Sequence, residues 1–258
     1  MRLMKRILSA AAVLALSASL LVGCSSGTAS SVPVSASSAA ESTVSSVEET
    51  ASSAVDENEA AAAQLLNDLT GSYQELWPVI LADEYKQTWL DDCTALVGED
   101  NAEAAFEKLS SMVTSDVYGE DAVKAYANGG GAYFCGFTNS LATLTFDGET
   151  STISGTDKDG NVLFSHTYHY IGMEPVRGLY EFQSDDADSG EFTYFFLAPD
   201  TSAETYHIEF RYGSDAEALS QYDAGEYAYW LASGISTDCD QTMIDNCIEL
   251  FCTENLAG

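Results

Sequence analysis

The stretch "AETYHIEFRYGSD", residues 203–215, decides how the rest of the chain is read. Tyr206, Ile208, Phe210 and Tyr212 fall on one side of it, and Thr205, His207, Glu209 and Arg211 on the other. That is the period-two pattern of a strand with one face against a core. His207 is one of only three histidines in the chain. A polar outer face explains its place with no further assumption. A polar face lining a cavity, with His207 binding something there, is the functional alternative.

Upstream of this strand the same character persists. "AYFCGFTN", "LATLTF", "STISGT", "NVLFSHTYHYI", "GLYEFQS" and "EFTYFFLA" are short alternating runs separated by turn signals such as Asp147-Gly148 and Asp157-Lys158-Asp159-Gly160. The second of these turns lacks a glutamate at position twelve and lies between strands, so it predicts a hairpin with Gly160 at positive φ and not a calcium loop. Six or more antiparallel strands within residues 131–213 predict a barrel or a strongly curved sheet. Residues 59–128 read as helices, including "YQELWPVILADEYKQTWLDDCTALVG", which Pro78 breaks or bends, then "NAEAAFEKLSSMV" and "GEDAVKAYAN". Residues 215–256 return to helix. The expected class is α+β: helices, a small antiparallel barrel, then a C-terminal helix.

The N-terminus has Arg2, Lys5 and Arg6 ahead of the apolar run "ILSAAAVLALSASLLV", the form of a secretory signal. It ends in "LVGC", which resembles the lipobox of bacterial lipoproteins and implies cleavage after residue 23 and lipid on the Cys24 thiol. An extracytoplasmic, lipid-anchored protein is therefore expected. Residues 24–56 are rich in Ser and Ala and hold no aromatic residue, so they cannot bury enough apolar surface to fold and read as a tether. Residues 57–258 are long enough for one domain with a sizeable core.

Three of the nine basic residues belong to the leader, which leaves six against 41 acidic ones, a formal charge of −35. Such a field repels nucleic acid and gathers cations near the surface. Besides Cys24 the chain has Cys93, Cys135, Cys239, Cys247 and Cys252. An oxidising compartment makes one or two disulfides the expectation, with the pairing left open. Cys247 and Cys252 would lie roughly 140° apart on a helix, which argues against a bridge between them. No G-x-S-x-G, H-E-x-x-H, phosphate-binding glycine loop or nucleophile–base pair stands out, so binding rather than catalysis is expected.

With helices ahead of a small barrel, and "VYGEDAVKAY", "YHIEFRYGSDAEAL" and "YAYWLASGIS" in that order, the chain resembles the ZinT family. These are exported zinc-binding proteins with a calycin-like barrel, related to the C-terminal domain of Gram-positive zinc-binding lipoproteins. The resemblance implies a divalent ion as ligand, zinc first, and a metal ABC transporter as the onward partner. It places three histidines at the barrel mouth. His207 matches one of them, Thr205 stands at the second, and no histidine stands in "FFLAPD", where the third would fall. Zinc asks for at least three protein ligands of nitrogen, sulfur or carboxylate oxygen. Glu209, on the same strand face, and Asp200, near the missing histidine, are the candidate replacements. Carboxylates in place of imidazoles would shift preference towards harder ions such as manganese. His166 and His169 are three apart on one strand and are expected on opposite faces. Two other readings compete: a barrel holding a small organic ligand, with an apolar cup, and a structural surface module with a degenerate metal site, its barrel filled by side chains.

Overall fold

The computed structural model describes residues 57–199 and 207–257. The leader, Cys24, the tether, Asp200 and Thr205 lie outside the described residues. Eight strands form a closed antiparallel barrel in chain order. They are β1 (Gly71–Glu75), β2 (Thr143–Asp147), β3 (Thr152–Thr156), β4 (Val162–Met173), β5 (Tyr180–Ser184), β6 (Tyr194–Leu197), β7 (His207–Gly213) and β8 (Ala232–Ser236). The seam pairs β1 with β8, Tyr73 opposite Ser236 and Glu75 opposite Gly234. Closure removes the unpaired edges that an open sheet would expose. Helices accompany the barrel: α1 over residues 57–68, α2 (Leu76–Ile80), α3 (Lys86–Val97), α4 (Glu99–Ser111), α5 (Glu120–Ala127), α6 (Ala216–Leu219) and α7 (Gln241–Leu256). The fold is α+β, as expected. Among the described residues no helix is long and apolar enough to cross a membrane.

The barrel extends beyond residues 131–213 at both ends. β1, "GSYQE", runs directly into α2, so the helical spacing that follows hides it. β8, "ASGIS", is buried at four consecutive positions and shows no alternation, so it reads as part of the helical tail. Conversely, "AYFCGFTN" is no strand; Phe134 makes isolated bridges to Thr114 and Trp230. The Asp157–Gly160 turn is the expected hairpin. Gly160 has φ 82°, its N–H donates to the Asp157 carbonyl at 3.0 Å, and the Asp157 carboxylate accepts from the backbone of Asp159 and Asn161.

The alternating strands put two apolar layers on either side of the barrel wall. Inside are Leu144, Phe146, Ile153, Phe182, Phe195 and Phe210 with Tyr212, all buried. Ring contacts link Phe195 to Tyr212 at 5.4 Å and Tyr212 to Trp230 at 5.0 Å. Tyr212 also donates its hydroxyl proton to the Thr138 carbonyl and accepts from the Thr138 N–H, so the interior is filled and its polar tip satisfied. Outside the wall, α2, α3, α4 and α7 enclose a second cluster with Trp77, Ile80, Trp89, Leu109, Ile235 and Ile248. Trp89 donates to the Ile80 carbonyl at 2.7 Å. α7 starts at Asp240, whose carboxylate accepts from the Met243 N–H at 3.0 Å, a helix cap that fixes where this wall begins.

The β2–β3 turn is pressed against α1. A Cβ on Gly148 would stand 2.4 Å from Asn67 Cα and 2.6 Å from the Leu66 carbonyl oxygen, both rigid backbone. Gly148→Ala should therefore push α1 off the barrel and cost about 1–3 kcal/mol. Urea unfolding reads this directly, and an unchanged midpoint would show that α1 is not held there.

Candidate functional site

β7 is covered on both faces. Ile208, Phe210 and Tyr212 point into the barrel, while His207 and Glu209 share the outer face with their cross-strand partners Ile235 and Ser233 on β8. Ile235 belongs to the cluster under the helices, so the polar face looks at α2 and α7 and away from the lumen. The His207 face lines a cavity between the wall and the helices, not the barrel interior. Both sides of β7 are buried, so alternation fixed the two faces without saying which was inner.

That cavity measures about 30 Å³. It has room for a water or a single ion and not for an organic molecule, whose sites run to hundreds of Å³. Its polar lining is His207 and Glu209 from β7 with Cys247 and Glu254 from α7; Trp77, Phe251 and other apolar side chains complete it. The two β7 residues are i and i+2 on one strand face. Cys247, Phe251 and Glu254 are i, i+4 and i+7, one stripe along α7. Sequence reading missed Cys247 and Glu254 as site residues, and this helical spacing in "CIELFCTE" was the signal available for them.

The donor types suit a borderline divalent ion: an imidazole, two carboxylates and a thiol. Their arrangement is looser than their chemistry. Among the described residues no group of three or more His, Cys, Asp or Glu side chains converges so as to hold a metal ion. Burial pushes the Cys247 thiol up to about 12, so at neutral pH it is a protonated, largely apolar part of the wall. Cys135, whose carbonyl accepts from the Ser233 N–H, is likewise pushed up to about 12, by burial first and then by the Glu209 carboxylate.

His166 and His169 do take opposite faces of β4. His166 is paired across the ladder with inward-facing Ile153, and its Nδ1 lies 2.7 Å from Asp186 Oδ2. His169 Nδ1 lies 2.6 Å from Asp185 Oδ1. The adjacent aspartates thus diverge and serve one histidine each. Neither histidine lines the His207 cavity. Arg211, third on the polar face of β7, directs its guanidinium to backbone carbonyls of the segment after α6 and stacks on Tyr222 at 4.4 Å.

No known family profile matches the sequence, and no curated protein matches it. Among solved structures, the chain superposes on the Zn(II)-bound ZinT-like domain of Streptococcus pneumoniae AdcA with 15% identity, 71% of this chain and 89% of that one covered, and a TM-score of 0.45. The chain is similar to a ZinT-like domain. Against Zn(II)-bound AdcA from the same organism the identity is 14% and the TM-score 0.42, with 72% of this chain covered but only 35% of that longer one. The closed eight-stranded antiparallel barrel is read from the pairing of this chain's own strands.

Proposed function

We propose that this chain is an exported, lipid-anchored module that binds one divalent metal ion, with zinc the first candidate and manganese the second. The observation that carries the reading is one ion-sized cavity lined by His207 and Glu209 from the barrel and by Glu254 and Cys247 from α7. His207 is the principal ligand and Glu209 an oxygen ligand. Glu254, exposed at the rim, is the nearby carboxylate that could complete the set from the helix side. Asp200, the other candidate carboxylate read from the sequence, lies outside the described residues. The formal charge of −35 after the leader would raise the local concentration of cations. The leader and "LVGC" support export and lipidation at Cys24. Delivery to a metal ABC transporter is the onward step this reading expects, and its chemistry is binding, not catalysis.

The organic-ligand reading finds its support outside the barrel, because aromatic side chains fill the lumen. An open cleft of about 340 Å³ lies beside α2, lined by Glu75, Trp77, Asp116 and Phe134 among others. The filled lumen is also what a structural module with a lost site would have.

Calorimetric titration separates these. The full chain carrying Cys24→Ser, stripped by chelator, is titrated with zinc and then manganese beside the His207→Ala variant. Saturation at about one ion per chain, lost in the variant, is the expected outcome. Weak, unsaturating heats that ignore the substitution would mean that only the diffuse charge attracts cations, and would sink the metal reading.

A further inference from the structure

α3 and α7 pack against each other in the cluster outside the barrel. At their contact the Sγ atoms of Cys93 and Cys252, both free thiols in this structure, lie 3.9 Å apart, although the residues are 159 positions apart in sequence. Both side chains are fully buried. We infer that Cys93 and Cys252 form a disulfide in the exported protein, tying α7 to α3. A disulfide needs the sulfurs at about 2.05 Å, so the pair must close by a little under 2 Å. Sequence spacing left the pairing open and argued only against Cys247 with Cys252; the packing of α3 on α7 selects a partner for Cys252.

The chemistry balances as thiol–disulfide exchange. Cys93 and Cys252 give up two protons and two electrons as the S–S bond forms, and a disulfide-type oxidant is reduced to two thiols. The inference rests on the export reading for that oxidant and is independent of metal binding. Burial holds both thiols towards the protonated form, for Cys252 with the neighbouring Cys93 adding to the effect. Thiolate is the attacking species, so the bond forms while α7 is docking on α3 and the thiols are not yet shut in, and afterwards reductants reach it poorly. The cross-link bears on the site because α7 carries the Cys247, Phe251 and Glu254 wall of the His207 cavity. It fixes that wall to the helix layer through a covalent bond.

Peptide mapping of the full chain is the test. The chain is refolded in a glutathione and glutathione-disulfide buffer, alkylated, and digested without reductant. A linked peptide holding Cys93 and Cys252, two hydrogens lighter than its two thiol parts, is expected. The oxidised chain should melt roughly 5–15 °C above the reduced chain of the same sequence, and Cys93→Ala should abolish both the link and that difference. Alkylated Cys93 and Cys252 after oxidative refolding, a link between other cysteines, or equal melting of the two redox forms would overturn the pairing. The same mapping on chain trapped with alkylating agent in the cells that make it isolates the compartment. A link that forms in buffer but not there overturns the disulfide as the exported state while leaving the metal titration untouched.

Discussion

Arg211→Ala should cost about 3–5 kcal/mol of stability, enough to unfold a domain of ordinary margin. Arg211 is fully buried. Its Nη1 and Nη2 donate to the carbonyls of Leu219 and Tyr227 and, at 3.4 and 3.5 Å, to that of Gln221. Its plane lies over the Tyr222 ring at 4.4 Å. Tyr222 in turn donates its hydroxyl proton to Glu174, also fully buried, at 3.4 Å, and Glu174 accepts from the N–H groups of Val176 and Arg177. Truncation would strand three carbonyls and leave a cavity where the guanidinium was. Arg211→Lys should recover little, since one ammonium cannot reproduce the planar fork. Urea unfolding of both variants decides, and midpoints close to wild type would show that the network contributes nothing.

The domain should also lose stability steeply in alkali. Burial raises the tyrosine hydroxyls of Tyr168, Tyr212, Tyr222 and Tyr227 above their ordinary value, Tyr222 and Tyr227 to about 12. Glu174 adds to the effect at Tyr222. An unfolded tyrosine releases its proton near pH ~10 while these folded ones keep theirs, so their contribution is complete below about 10 and lost as pH rises towards about 12. Arg211 works the other way: burial lowers it to about 10, so its unfolded form binds the extra proton and that single group gains stability over the same window. Four tyrosines against one arginine leave a net fall. The last part of the phenolate absorbance, from these four tyrosines, should therefore appear together with the loss of near-ultraviolet circular dichroism. Complete ionisation of all the tyrosines near pH ~10 on a protein that stays folded would contradict this.

Much of the fold was legible because the informative segments bury one face. Alternation in β7 separated Ile208, Phe210 and Tyr212 from His207, Glu209 and Arg211, and the structure keeps that division. The three-residue spacing of His166 and His169 likewise put them on opposite sides of β4. What stayed hidden is what local pattern cannot carry. β8 is buried on both faces and made mostly of small residues, so it has no period to read. The half of the site on α7 depends on a helix docking against a strand far away in sequence, and no window around His207 contains Glu254. Which face of β7 is the inner one is a property of barrel closure, not of the strand.

That closure also dictates when the protein can fold. β1 and β8 meet at Glu75 and Gly234, a separation on the order of 160 residues whose loop entropy must be met before the seam is rewarded. Contact order is therefore high, which places folding among the slow, millisecond-to-second domains. A nascent chain that stops short of Ala232 has seven strands and two open edges. The barrel can shut only once the chain has been synthesised through β8.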